Sequence, residues 1–423
     1  MTIRWTCLLL TVSCLGACAS ANAQTLPPRN GDAPQLAPNC PPFQPEVSEP
    51  ALEPAPPDDA CELPCPECHP PHLEVGLEYL LWFTRGQRLP PLVTSGSLAD
   101  LMPASLGQTN TKLLFGGNGG DVTHQDGARL TLAYGIDDDN TSSVTGSFFG
   151  MDRRGVSRGF GSNGGVNTPV IGRPFFNVVN GTEDADPVAI PSVASGHIQI
   201  DTPSTLYGGE IDYRYQAWQE QTSRFAMLVG ARYLAIDEAL NIHETSQDLP
   251  GLGVPGNSYL LSENFITHNR FYGGEFGAEY EYRFGPVITE FGGKAAFGVV
   301  EQTARNSAFT SITEPNGIVT SSSDRALYIS PNNAGRFTRT QFAVVPEGNV
   351  KLGYDLNKYI RFTVGYTFIY LSDAARPADQ LNRNVNVQPI GTPSVFTPAA
   401  PFPGVRSTDF WVQGLDVGLR FCY

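Results

Sequence analysis

From Leu73 to the last residue, apolar side chains recur at every second position of the chain. In the segment 268–284, for example, Tyr272, Phe276 and Tyr280 alternate with glycine and charged residues. Because successive side chains of a β-strand point to opposite faces, such a segment has one apolar face and one polar face. The alternation is sustained through ten segments, and it predicts long β-strands rather than helices.

The connections between these segments alternate between short and long. We predict strands at 73–83, 126–136, 143–151, 205–217, 224–238, 268–284, 287–301, 340–355, 359–371 and 408–423. The short connections are 137–142, 218–223, 285–286 and 356–358, and the long ones are 84–125, 152–204, 239–267, 302–339 and 372–407. Short periplasmic turns and long outer loops are typical of bacterial outer-membrane barrels, and an even strand number puts both termini in the periplasm.

These patterns predict an all-β fold, a transmembrane antiparallel up-and-down β-barrel of about ten strands. The range extends to about twelve, because the connection 152–204 has room for another hairpin. In such a barrel the apolar faces contact outer-membrane lipid and the polar faces enclose the lumen. The last strand ends on an aromatic residue, and we predict that Phe421 and Tyr423 form the signal read by the barrel-assembly machinery.

The composition agrees with a membrane barrel. Charged residues make up 16% of the chain, against about 25% in soluble globular proteins. No apolar run approaches the roughly 18 residues that a membrane-spanning helix needs. The formal net charge of −15 argues against nucleic acid as a partner, because phosphate binding needs clustered Lys and Arg.

Residues 1–23 have the pattern of a secretory signal peptide, with Arg4, a short apolar core and the cleavage site Ala21-Asn22-Ala23. A competing cleavage would leave Cys18 lipidated at the new N-terminus. Residues 24–72 are rich in proline and nearly free of apolar pattern, so we predict a disordered periplasmic linker. We assign 73–423 to the outer-membrane barrel, with the linker and C-terminus in the periplasm and the long loops outside the cell.

Aromatic residues cluster where the two membrane interfaces are expected, since their amphipathic rings favour the headgroup level. Those beside the short turns are Trp218, Phe284, Tyr354, Tyr359 and Tyr423, and those towards the long loops are Trp82, Phe148, Tyr207 and Tyr370.

The polar faces carry charges of both signs, which we predict to line the lumen. They are Glu210, Asp212, Arg214, Arg232, Glu275, Glu279, Glu281, Arg283, Glu290, Lys294, Glu347, Lys351, Asp355, Arg361, Asp416 and Arg420. A ten-stranded barrel is narrow, so these side chains are expected to cross it as ion pairs. The function predicted is a narrow porin for small solutes or ions, with a modest preference for cations. The alternatives are a surface-display, adhesion or structural barrel without conductance, and a haem-linked barrel for electron transfer. Solute and oligomeric state are not determined by the sequence.

Several segments resemble the bacterial β-barrel porin family numbered seven. They are Gly230-Ala231-Arg232-Tyr233-Leu234-Ala235-Ile236-Asp237-Glu238-Ala239-Leu240, Asn269-Arg270-Phe271-Tyr272-Gly273-Gly274-Glu275-Phe276-Gly277, Phe342-Ala343-Val344-Val345-Pro346-Glu347, Gly365-Tyr366-Thr367-Phe368-Ile369-Tyr370-Leu371-Ser372 with Arg376-Pro377, and Phe410-Trp411-Val412-Gln413-Gly414. The resemblance covers 73–423 in the right order. It implies an outer-membrane barrel of unestablished substrate and supplies no catalytic residues.

Cysteines and histidines cluster in the linker, at Cys61, Cys65, Cys68, His69 and His72. The spacing from Cys65 through Cys68 to His69 matches that of c-type haem attachment. The surrounding sequence is proline-rich and offers no apolar pocket for a porphyrin. We therefore predict no cofactor and no metal, and leave haem c, a Cys/His metal site and periplasmic disulfides as the open alternatives.

The histidines beyond the linker, His124, His197, His243 and His268, fall in or beside the long loops. No nucleophile motif accompanies them, so we predict that the protein is not an enzyme.

Overall fold

The computed structural model describes residues 73–117, 123–249, 256–387 and 404–423. Its elements are β1 (Leu73–Thr84), β2 (Val93–Gly96), β3 (Lys112–Phe115), β4 (Thr123–Gly135), β5 (Ser142–Met151), β6 (Arg154–Ser162), β7 (Val170–Asn177), β8 (Thr182–Ala189), β9 (Ala194–Gln219), β10 (Ser223–Asp248), β11 (Ser258–Phe284), β12 (Val287–Thr313), β13 (Val319–Ser323), β14 (Gly335–Asp355), β15 (Ile360–Ala375), α1 (Pro377–Gln380), β16 (Asn384–Val385) and β17 (Ser407–Cys422). The predicted signal peptide, the linker and its cysteine–histidine cluster lie outside the described residues.

Ten of these strands form a closed antiparallel barrel. Their order is β1, β4, β5, β9, β10, β11, β12, β14, β15 and β17, and β17 pairs back to β1. The closing ladder runs from Glu74 opposite Cys422 to Thr84 opposite Val412. The predicted all-β up-and-down barrel of about ten strands is therefore confirmed.

Four strands extend far beyond the length that a membrane requires. β9 and β10 have 26 residues each, and β11 and β12 have 27 each, whereas about 9–11 residues cross a bilayer. All the additional residues lie at the end of the barrel that carries the long connections, here called the long-loop end; the opposite end is the turn end. The predicted strand 224–238, for example, corresponds to β10, which continues to Asp248. Parts of the predicted loops 152–204, 239–267 and 302–339 therefore belong to the barrel strands β9 to β12.

A second sheet lies at the long-loop end. It has five strands, β2, β3, β7, β8 and β16, all drawn from segments predicted as loops. Its apolar side chains pack on the inward residues of the extended barrel strands, for example Val93 and Phe175 on Ile200 and Leu240. We call this sheet, together with the extended ends of β9 to β12, the head. The segment 152–204 does contain a hairpin, β7 and β8, but it joins this second sheet and adds no strand to the barrel, which keeps ten strands.

The outer face of the barrel is apolar. Its exposed side chains include Leu77, Leu132, Phe148, Ile211, Met227, Phe276, Phe291, Phe342, Val350, Phe368 and Leu415. Burial alternates with position along each strand, as in β17, where Leu415 and Val417 are exposed and Asp416 and Gly418 are buried. No helix in the described part of the chain is long and apolar enough to cross a membrane.

One predicted interface aromatic is wrong. Trp82 is fully buried, points into the lumen and donates a hydrogen bond from Nε1 to Asp416 Oδ1 at 2.7 Å. Its neighbours Leu81 and Phe83 carry the outward face of β1, so strand alternation forces Trp82 inward. Here the period of the strand overrides the interfacial preference of the indole.

Candidate functional site

The sixteen predicted lumen charges lie on strand faces opposite the exposed apolar side chains, and two buried charges that were not among them join their ion pairs. These two are Glu78 on β1 and Arg129 on β4, both buried. The same alternation that defines the apolar face of each strand identifies them. The eighteen side chains divide into four ion-pair groups.

The group nearest the turn end pairs three acidic with three basic side chains. Its members are Glu281, Arg283, Glu290, Asp355, Arg361 and Arg420. Arg361 contacts Asp355 at 2.8 Å and Glu290 at 3.2 Å, and Arg420 contacts Glu290 at 2.8 Å. A separate pair joins Arg214 to Glu279 at 3.1 Å.

The second group lies beside Trp82. Glu78 accepts hydrogen bonds from Arg129 at 3.0 Å and Lys351 at 2.5 Å. Asp416 lies 3.8 Å from Arg129 and also accepts hydrogen bonds from Trp82 and from a threonine hydroxyl of β15. The Arg129 guanidinium stacks 5.2 Å from the centre of the Trp82 ring. Two acids and two bases therefore balance here.

The third group, called the central cluster, contains Glu210, Asp212, Arg232, Glu275, Lys294 and Glu347. Arg232 contacts Glu275 at 2.9 Å and Glu347 at 2.6 Å, and it also bonds to Glu210. Lys294 Nζ lies 2.8 Å from Glu210 and 2.7 Å from Asp212. A cavity of about 10 Å³ borders Glu210, Arg232 and Glu347, which is enough for about one water molecule.

Above the charges, towards the long-loop end, the lumen is filled by apolar side chains. This apolar layer consists of Leu80, Trp82, Phe149, Met151, Leu206, Leu234, Ile236, Phe271, Ala296, Val300, Ala343, Val345, Ile369, Leu371, Ala374, Phe410 and Val412. Its residues come from all ten barrel strands except β4 and are at most 8% exposed. The layer packs across the barrel as a soluble core does.

A fully buried arginine lies in the head. Arg173 of β7 contacts Glu244 at 3.2 Å, bonds to Glu263, and stacks 4.8 Å from the Tyr328 ring centre. Glu263 also accepts the backbone N–H groups of Tyr328 and Ile329. The arrangement ties β7 and the connection after β13 to the extended ends of β10 and β11.

These head groups lie outside the membrane-spanning segments. On β10, Tyr233 lies at the margin of the apolar band on the side of the long-loop end. Glu244 lies eleven residues further along the strand, which is roughly 26 Å along the barrel axis for strands tilted at about 45°. Burial raises the pKa of Glu244 to about 7 despite the attraction of Arg173. Burial also raises the pKa of Tyr328. Burial alone would lower the pKa of Arg173, but the carboxylates of Glu263 and Glu244 raise it.

A further buried ion pair joins the connection after β15 to β10. Arg376, just before α1, holds Glu238 of β10 through contacts of 2.6 and 2.9 Å. Its guanidinium also donates to the backbone carbonyls of Arg85 and Gly86, which follow β1. The connection after β15 is thereby fixed over the end of the lumen.

The predicted assembly-signal residues stand at the turn end of β17. Tyr423 is 67% exposed and its backbone pairs with Leu73, and Phe421 lies on the same outward face. Two of the histidines lie on the outer wall: His268 contacts Asp237 at 2.6 Å and His243 contacts Ser262 at 3.1 Å.

Comparison with solved structures finds outer-membrane proteins at low similarity. One is the outer membrane protease OmpT from Escherichia coli, at 9% identity and a TM-score of 0.37, covering 83% of this chain and 96% of that one. Another is the P. putida toluene transporter TodX, at 8% identity and a TM-score of 0.18, covering 83% and 90%. A third is the CymD monoaromatic hydrocarbon channel, at 8% identity and a TM-score of 0.17, covering 84% and 89%. No curated protein matches the chain.

The sequence match is more specific than these structural likenesses. Residues 75–423, which include all the barrel strands apart from the first two residues of β1, match the family described as Putative beta barrel porin-7. With the apolar exterior of the barrel, this match gives an outer-membrane location. The chain belongs to the Putative beta barrel porin-7 family.

Proposed function

We propose that this protein is an outer-membrane barrel closed to solutes, whose work is to hold a folded head at the cell surface. The observation that carries the proposal is the apolar layer, in which Leu80, Trp82, Leu206 and Phe271 are fully buried. An ion crossing this layer would lose its hydration and meet few polar partners, of which the buried Gln125 opposite Trp82 is one.

The orientation follows the asymmetry of bacterial barrels. Short turns face the periplasm in such proteins and long connections face outward, so the head lies outside the cell. The outward side chains contact lipid, and Phe421 and Tyr423 engage the barrel-assembly machinery. The well-packed head core and its buried Arg173 support a role in which this end is a rigid binding or display surface.

A narrow cation pore is the second candidate. The central cluster favours it, because four carboxylates face two basic side chains there and an acidic lumen attracts cations. Passage would require the apolar layer to move aside. The two candidates therefore differ in one measurable property, the resting conductance.

The experiment is single-channel recording of the purified full chain in a planar bilayer. We expect no unitary conductance. The positive control is the double variant Trp82→Ala with Phe271→Ala, which removes two large rings from the apolar layer and is expected to admit ions. Regular unitary events from the unaltered protein would contradict the closed barrel and support the pore.

Display is tested separately. Deletion of 154–193, which removes β6 to β8, is expected to leave a heat-modifiable, membrane-inserted barrel while abolishing binding of cells to their surface partner. A deletion variant that binds as well as the full chain would show that the head is not the functional end.

A further inference from the structure

The negative charge of the lumen is not evenly distributed. The turn-end group, the group beside Trp82 and the Arg214–Glu279 pair contain equal numbers of acidic and basic side chains. The central cluster has four carboxylates and two basic side chains. Arg129 borders the same cavity, but Glu78 and Asp416 already engage it. Two negative charges are therefore left over in one place.

The same cluster contains buried carboxylate oxygens without hydrogen bonds. Asp212 is 1% exposed and its Oδ1 has no hydrogen-bond partner in the described part of the chain. Glu275 is 2% exposed, and neither of its oxygens accepts a hydrogen bond from a described residue. Glu275 Oε2 still forms an ion pair with Arg232, at 2.9 Å, so Oε1 is the freer oxygen. Buried polar atoms are nearly always satisfied, which points to a missing partner.

These carboxylates are also close enough together to share an ion. One oxygen each from Glu210, Asp212 and Glu275 lies within 4.8 Å of the other two. Oxygens on opposite sides of a Ca²⁺ ion are separated by roughly 4.6–5.2 Å, and by about 4.2 Å around Mg²⁺. An all-oxygen set within this limit suits a hard divalent cation. Ca²⁺ is the better match because it accepts irregular carboxylate geometry, whereas Mg²⁺ needs a near-ideal octahedron and usually keeps several waters.

We propose that the central cluster binds one divalent cation of the Ca²⁺ type, held by Glu210, Asp212 and Glu275 inside the barrel. The ion neutralises the two surplus charges, which burial would otherwise make costly. Lys294 contacts Glu210 and Asp212, and Arg232 contacts Glu210 and Glu275, so the two basic side chains orient the ligand carboxylates. The site exists whether or not the barrel conducts.

The prediction of no metal rested on the linker cysteines and did not consider this cluster. Its three ligands come from two strands, β9 and β11, that are not adjacent in the barrel, so the sequence pattern does not bring them together. Glu210 and Asp212 are two residues apart on one face of β9. Glu275 reaches them across the intervening strand β10, whose Arg232 pairs directly with Glu210.

The test uses the purified full chain in detergent, stripped with EDTA and then dialysed against CaCl₂. Metal content is measured by mass spectrometry and barrel stability by thermal unfolding followed by circular dichroism. We expect about one Ca²⁺ per chain and a higher midpoint of unfolding when Ca²⁺ is present.

Glu275→Gln and Asp212→Asn keep side-chain shape and remove a ligand charge, and each is expected to lower Ca²⁺ affinity at least about tenfold. Glu281→Gln, in the balanced turn-end group, is the matched control and is expected to bind Ca²⁺ as the unaltered chain does. Because Glu275→Gln also relieves the charge excess, it is expected to keep the metal-free barrel folded.

Three results would overturn the site. The first is that the chain retains no Ca²⁺ and its midpoint of unfolding does not shift, and the second is that Glu275→Gln and the unaltered chain contain equal amounts of Ca²⁺. The third is that the midpoint of unfolding rises on acidification but does not change when Ca²⁺ is added. The last result would mean that protons alone neutralise the cluster.

Discussion

Replacing Trp82 by alanine tests whether the lumen is packed as a core. The side chain is fully buried against Phe149, whose ring centre lies 5.2 Å away, and it donates a hydrogen bond to Asp416. A tryptophan buries roughly 200 Å², which at about 25 cal/mol per Å² gives about 5 kcal/mol as an upper value. Large-to-small core substitutions of this kind cost about 3–5 kcal/mol. We expect Trp82→Ala to lower the free energy of unfolding by about 4 kcal/mol.

The assay is reversible urea unfolding in lipid vesicles, followed by circular dichroism so that loss of a fluorophore does not matter. The matched control is Phe83→Ala, on the adjacent outward position, where the ring is already 40% exposed. It is expected to cost less than about 2 kcal/mol. If Trp82→Ala costs under about 1 kcal/mol, or no more than Phe83→Ala, the lumen is not a packed interior and the closed-barrel argument fails.

Three further predictions, which use four variants, concern other parts of the molecule. The pKa of Glu244 is about 7 in the folded head, against an ordinary 4.5, so the folded head binds this proton more tightly than the unfolded chain does. The contribution of Glu244 to the stability of the head is therefore greatest below about pH 4.5 and is lost as the pH rises through about 7. Hydrogen exchange of the head should show this pH dependence, and Glu244→Gln should flatten it. Gly414→Ala would put a methyl group 2.7 Å from Trp82 Cδ1, so it should lower the free energy of unfolding by about 1–3 kcal/mol. The control is Gly293→Ala, whose methyl group meets no atom within 4 Å and should change the free energy of unfolding in urea by less than about 0.5 kcal/mol. Arg376→Met leaves its carboxylate partner in β10 buried without a cation and should cost about 3–5 kcal/mol, measured in the same urea assay; an unchanged midpoint would mean that the pair does not stabilise the fold.

The barrel itself could be predicted from the sequence because its strands have a single period and an apolar face that must meet lipid. In β17, every inward and outward position follows from alternation alone. Trp82 was misplaced because residue type was weighed above this period, although the outward assignment of Leu81 and Phe83 already required it to point inward.

The extended strand ends, the head and the central cluster could not be predicted, because they depend on information that the alternation of apolar and polar residues does not contain. Beyond the membrane the outer face of a strand meets water, so polar residues such as His243 and Ser262 occupy outward positions and the extended ends of β10 and β11 looked like loop. The head strands are short and pair across large sequence separations, as β7 does with β16. The central cluster requires the stagger of five strands, which no single segment encodes.

Some ion pairs of the lumen join neighbouring strands, as Arg232 of β10 does with Glu210 of β9, but others join strands that are not neighbours. Lys351 of β14 reaches Glu78 of β1, Lys294 of β12 reaches Glu210 of β9, and in each case two further strands stand between the partners in the barrel order. Such contacts cannot form until the strands between the two partners are in place, and the contact from Lys351 to Glu78 also spans the seam closed by β17 and β1. This part of the electrostatic stabilisation therefore appears late in assembly, and it favours the closed cylinder over half-wrapped intermediates.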